Sequence, residues 1–128
     1  MNIVKHEHTT FHDVDETLIM HCKASEFSPG DTVVYIQDTI DLTKEIAFKV
    51  NENMVRLLKE ESQRGSYVVV WSRGGWEWAF NVIRALKLEN YVHQIMTKPM
   101  VYFDDKDIST WLPYRVYIEP NVTYKRNK

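Results

Sequence analysis

Two acidic pairs, Asp13-Val14-Asp15 and Asp104-Asp105, are the residues of this chain best suited to chemistry. Side chains alternate faces along a strand, so acids two apart start on one side. Where the strand ends, both carboxylates can converge on a point beyond its tip. In open α/β sheets that carboxyl edge is where ligands bind. Two carboxylate clusters at neighbouring strand tips repel each other, and a bound divalent cation is the usual relief. Oxygen-only ligands favour a hard ion, and Mg²⁺ keeps several waters while sharing phosphate oxygens. A calcium loop of the EF-hand type fits poorly. Counting from Asp13, the sixth position is Leu18 where Gly is needed, and the twelfth is Ala24 where Glu is needed.

The elements that must position these acids follow from local pattern. Residues 9–20 carry Phe11, Val14, Leu18, Ile19 and Met20, and the first half reads as a strand turning sharply at the acids. Ser28-Pro29-Gly30-Asp31 is a turn, because Pro fixes one backbone angle and Gly permits positive φ. Residues 33–37 and 46–50 are short β-rich runs that can pair as a hairpin. Asn51 or Asn53 can cap a helix in which Met54, Leu57 and Leu58 share a face, ending at Gly65. Tyr67-Val68-Val69-Val70-Trp71 has the continuous apolar, β-branched character of a strand buried on both faces of a parallel sheet. Ser72-Arg73-Gly74-Gly75 turns out of it into a helix over residues 76–88 with Ala79, Val82, Ile83 and Leu86 at helical spacing. Residues 92–96, 101–103 and 116–118 are further strand candidates. Only a few residues separate the first two, fewer than the dozen or so of a parallel crossover. Either the third strand is very short or the topology there is irregular. The series predicts an α/β protein with helices packed on a sheet.

Asp13-Val14-Asp15-Glu16-Thr17-Leu18 resembles the D-x-D-x-[TV]-[LV] signature of the haloacid dehalogenase (HAD) superfamily, and the other three signatures follow in order. Ser72 ends the Val-rich strand as the second motif requires, Lys98 in Thr97-Lys98-Pro99 looks like the third, and Phe103-Asp104-Asp105 looks like the fourth. The resemblance implies a three-layer Rossmann-like parallel sheet with helices on both faces. It also implies a small β-hairpin flap over about residues 25–50, with no room for a large cap. The activity implied is a Mg²⁺-dependent phosphomonoester hydrolase working through an aspartyl-phosphate. Asp13 would then be the nucleophile, and Asp15 the general acid and later base, its carbonyl binding the metal. Asp105 would be the direct metal ligand, with Asp104 orienting waters and Lys98, or the reverse. Lys98 would pair with Asp13 and spread transition-state charge. Ser72 would hydrogen-bond a phosphoryl oxygen, the Arg73–Gly74 turn would offer backbone N–H groups to the anion, and Thr17 would hold the turn that aims the aspartates. One departure stands out: Glu16 occupies a position that is often Gly in the family.

The chain has 128 residues, 44% hydrophobic and 27% charged, with a net charge of −2. That size suits one domain over residues 1–128, and that charge offers no bulk attraction to nucleic acid or anionic lipid. A single cysteine, Cys22, leaves no internal disulfide, no apolar run approaches a membrane span, and residues 1–10 lack a signal core. A cytoplasmic, membrane-free protein is expected. The phosphorylated substrate would be a small molecule, a nucleotide or nucleic-acid end, or a phosphoprotein, since a capless site is open to large groups. Trp76 and Trp78 either stack on a substrate ring or pack the core, and Arg73 would touch a second substrate group. His6, His8, His12 and His21 fit no four-ligand zinc set. The 125–128 basic run reads as a solvated tail, and Asn121-Val122-Thr123 as a chance glycosylation match. A non-catalytic phosphate-binding or interaction module with the same fold is the alternative, and phosphotransfer to an acceptor is a further one.

Overall fold

Strand propensity and burial cooperate most strongly in the Val-rich run, and the fold is organised around it. The computed structural model describes His6, residues 8–112, Tyr114 and Val116. In chain order it forms β1 (Thr9–Asp13), β2 (Ile19–Met20), β3 (Val33–Gln37), β4 (Glu45–Val50), α1 (Glu52–Gln63), β5 (Tyr67–Ser72), α2 (Trp76–Ala85) and β6 (Gln94–Thr97). Single 3₁₀ turns lie at Ala24–Glu26, Glu89–Tyr91 and Ile108–Thr110.

β1, β5 and β6 form a parallel sheet in that order, with Asp13 opposite Trp71 and Ser72 opposite Thr97. Both crossovers step the same way along the sheet, and right-handed crossovers of that kind place their helices on one face. The core agrees. Val68 and Val70, on the same side of β5, are clustered with Met54 and Leu58 of α1 and with Ala79, Val82 and Ile83 of α2. Burying each Val, Leu, Ile or Met side chain of this set contributes roughly 1.5–3 kcal/mol. The opposite face carries Phe11, Val69 and Trp71, the first and last with rings 4.4 Å apart. Among the described residues, then, the helical layer lies on one face, and the protein is α/β with a three-stranded parallel sheet and two helices.

The expected flap is a separate antiparallel sheet, ordered β2-β4-β3. Its inward residues Ile36 and Phe48 belong to the main core, and Asn81 of α2 donates from its side chain to the Gln37 carbonyl at 3.0 Å. The flap is thereby anchored to α2. α1 begins as its sequence dictates, with the Asn51 side chain accepting from the Met54 N–H. It ends before Gly65, whose φ of 95° is the left-handed conformation a helix stop favours.

β6 is four residues long, the very short third strand foreseen as one option. The expected strand at 101–103 does not form; those residues are exposed coil. Only residues 98–100 precede them, Pro99 has no N–H to give a ladder, and no crossover of that length returns a chain to a parallel sheet. Of the candidate at 116–118, Val116 is exposed coil, and the remainder lies outside the described residues, as do the 121–123 and 125–128 segments. No helix among the described residues is long and apolar enough to cross a membrane.

Candidate functional site

β1 ends on Asp13, and the chain then folds back on itself. The carbonyl of Val14 accepts from the N–H groups of Thr17, Leu18 and Ile19 at 3.2, 2.9 and 3.3 Å, while the Val14 and Leu18 side chains are buried. This tight turn, pinned by the core on both sides, leaves Asp13 and Asp15 half-buried at the sheet tip. Glu16 makes the turn with φ of 61°, a left-handed conformation that glycine adopts without cost. The Glu16 carboxylate offsets part of the cost by accepting from the His21 backbone N–H at 2.9 Å and meeting its Nδ1 at 2.5 Å.

Asp13 meets two of its expected partners. Lys98 Nζ stands 3.9 Å from Oδ1, and Thr17 Oγ1 donates to Oδ2 at 3.5 Å. Lys98 follows directly on β6, its backbone N–H donates to the Ser72 carbonyl at 2.9 Å, and its ammonium lies 5.6 Å from the Trp71 ring centroid. The short third strand therefore delivers its lysine to the tip. At about a third exposed on each partner, the pair is worth little as a stability term and more as a local charge.

Asp15 is held from the other side. Ser72 Oγ donates to its Oδ2 at 3.3 Å, Trp78 Nε1 donates to its Oδ1 at 3.2 Å, and His21 Nε2 lies 3.8 Å from the same oxygen. Ser72 is fully buried and its hydroxyl also accepts from the Gly74 N–H at 3.0 Å. Its hydroxyl is thus committed to Asp15 and to the turn, so a phosphoryl contact would require it to change partners. Gly75 has φ of 106°, and at Gly74 a Cβ would lie 3.3 Å from Trp78 Cδ1. The two glycines let the chain turn tightly while leaving room for the indole. Arg73 is exposed and makes no ion pair among the described residues.

The two tryptophans divide as helix geometry requires, since positions two apart lie about 200° around the axis. Trp76 is 53% exposed, its backbone N–H donating to Thr97 Oγ1 at 3.0 Å, whereas Trp78 turns its indole inward to Asp15. Trp78, His21 and Glu16 are the site residues that the sequence did not single out for Asp15. His12, beside Asp13, has Nε2 2.8 Å from Thr10 Oγ1, and burial pushes its imidazole down to about 4. It stays neutral at neutral pH and adds no charge to the tip.

Asp104 and Asp105 are not gathered here. They sit in exposed coil, with Asp104 accepting from the Lys106 N–H at 3.0 Å. No group of three His, Cys, Asp or Glu side chains is placed to hold a metal ion among the described residues. The donors at the tip, Asp13 with the Asp15 carbonyl, are oxygens of the kind Mg²⁺ takes. They fit the ion in chemistry while the second acidic pair stands apart. Comparison with known proteins finds no family model, no curated protein and no solved structure that matches the chain.

Proposed function

We propose that the chain is a HAD-like, Mg²⁺-dependent phosphomonoester hydrolase, with the sheet and its one helical layer as part of a three-layer HAD-type core. The observation that supports this most is the convergence of Asp13, Asp15, Ser72 and Lys98 at one sheet tip, although Ser72 is 57 residues from Asp15 in the chain. Two carboxylates beside a lysine and a glycine-lined turn suit transfer of a dianionic group. An Asp13 carboxylate oxygen attacks phosphorus while Lys98 offsets the charge brought together. Asp15, in its acid form, gives its proton to the leaving oxygen. Asp15 then takes a proton from the water that hydrolyses the aspartyl-phosphate on Asp13. In the 73–75 turn the N–H groups of Gly74 and Gly75 are held by the Ser72 hydroxyl and carbonyl, so the phosphoryl oxygens would meet the Arg73 N–H and the Lys98 ammonium, with the Arg73 side chain left to meet a second anionic group and Trp76 to stack on an aromatic one. Mg²⁺ held by Asp13 and the Asp15 carbonyl would lower the repulsion between the nucleophile and the phosphate, while Asp105, in exposed coil, is not placed to join them. Nucleotide or polynucleotide phosphates are the substrates this surround favours.

Release of p-nitrophenol from p-nitrophenyl phosphate with Mg²⁺, wild type beside Asp13→Asn, tests the reading. Activity in wild type that disappears in the variant is expected. Activity that survives in Asp13→Asn removes the nucleophile, and a folded wild type inert on a broad phosphoester panel removes the hydrolase. The exposed position of Asp104 and Asp105 favours a second reading, a non-catalytic module that binds phosphate through Lys98 and the turn. Phosphate affinity without turnover would select it.

A further inference from the structure

Asp15 is gripped more closely than a general acid at an open strand tip needs to be. Groups from three elements reach its carboxylate: Ser72 from β5, Trp78 from α2 and His21 from the segment after β2. The last two are joined through the flap. Phe48 of β4 meets the Trp78 ring edge-on at 5.6 Å and the His21 ring edge-on at 4.9 Å. Asp15, Trp78, Phe48 and His21 thus close a ring of contacts, and Glu16 holds the outer edge of His21. Phe48 is 2% exposed, so the ring is fixed to the core.

We propose that Trp78 and His21 are positioning residues for Asp15, holding Oδ1 so that the carboxyl faces the leaving oxygen. The proposal rests on the hydrolase reading and deepens it. An indole N–H only donates and does not titrate, so Trp78 can orient the acid without competing for its proton. In the step concerned, the Asp13 oxygen–phosphorus bond forms as the bond from phosphorus to the leaving oxygen breaks. The Asp15 O–H proton passes to that oxygen, and Asp15 is left as the carboxylate that later receives a proton from water. Dependence on a well-aimed acid grows with the basicity of the leaving oxygen. An alkoxide needs the proton, whereas p-nitrophenolate departs without it.

The test compares kcat/KM for a simple alkyl phosphate and for p-nitrophenyl phosphate, with Mg²⁺, in wild type, Asp15→Asn and Trp78→Phe. Trp78→Phe keeps a ring against Phe48 and removes the N–H. The expected result is a loss of about tenfold or more on the alkyl ester, against about threefold or less on the aryl ester. Asp15→Asn should show the same selectivity, enlarged. Equal losses on both esters, or no loss on the alkyl ester, overturn the positioning role while leaving an active wild type as a hydrolase. A wild type that turns over neither ester overturns the hydrolase reading and the proposal together. Should Trp78→Phe fail to fold by circular dichroism, His21→Gln carries the same comparison, because the His21 side chain is 56% exposed. A selective alkyl-ester loss there supports the ring of contacts, and an equal or absent loss overturns it.

Discussion

Asp13 and Asp15 end a strand locked into a parallel sheet, whereas Asp104 and Asp105 stand in coil where Phe103 beside them is 97% exposed. Both pairs follow a short run that reads as a strand, and locally they look alike. The difference lies in what holds the backbone. β1 is paired along its length with β5, and the turn after it is nailed down by buried Val14, Leu18 and Ile19. The second pair has a self-contained turn, closed by the Asp104 carboxylate on the Lys106 N–H. A carboxylate pair acquires directed geometry when the core fixes its chain on both sides, and an apolar run before it is not enough.

The largest expected effect sharpens this contrast directly. Asp13→Asn should lower phosphatase kcat by roughly 10³-fold or more with the fold intact, as loss of a nucleophile does. Asp105→Asn, in exposed coil, should instead leave the Mg²⁺ concentration needed for half-maximal rate within about twofold of wild type. A Mg²⁺ titration displaced by roughly tenfold or more in Asp105→Asn would bring the second pair to the ion and break the contrast.

Stability should separate the same regions. Leu58→Ala removes a fully buried side chain beneath the sheet and should cost about 2–5 kcal/mol in urea denaturation. Phe103→Ala, in the exposed coil, should stay within about 0.5 kcal/mol. A large loss at Phe103 would show that the 98–112 segment packs on something in solution, and the contrast would need redrawing.

Acid gives the next effect. His12 titrates near 4 in the folded protein, because burial disfavours its charged form, and near 6.5 when unfolded. Between those values the unfolded chain binds a proton that the folded one refuses. Stability from this group is full above about pH 6.5 and falls as pH drops toward 4, by up to about 3 kcal/mol. Metal-free wild type and His12→Gln, unfolded by urea at pH 7 and pH 4.5, should differ in slope with pH. Parallel curves would mean that His12 is not buried as a neutral base.

Much of the fold could be read from sequence, because its elements are specified locally. The Val68–Val70 run, the Asn51 cap and the Gly65 stop each carry their own physical reason. The four candidate residues Asp13, Asp15, Ser72 and Lys98 were legible through their order, and Ser72 meets Asp15 as Lys98 meets Asp13. What failed was the strand at 101–103, where apolar residues satisfied the local pattern but no crossover could bring them to the sheet. Trp78 escaped for the opposite reason. Its partner is 63 residues away, and only the packing of α2 on β5 brings the indole to Asp15. The sequence left Trp78 between stacking on a substrate ring and packing the core, and neither reading named Asp15 as its partner.

The smallest effect concerns the turn itself. Glu16→Gly removes a left-handed side-chain penalty of roughly 1 kcal/mol and with it two contacts to His21. Both contacts are exposed, so each returns little to stability once water replaces it. The two changes oppose each other, and thermal unfolding should move by less than about 1 kcal/mol in either direction. His21 would then be free of its outer anchor. If Glu16 stays in this turn for the sake of His21 and Asp15, Glu16→Gly should be near-neutral in stability yet lower the alkyl-ester rate more than the aryl-ester rate. A variant more stable than wild type with both rates unchanged would mean that the glutamate serves neither the turn nor the acid.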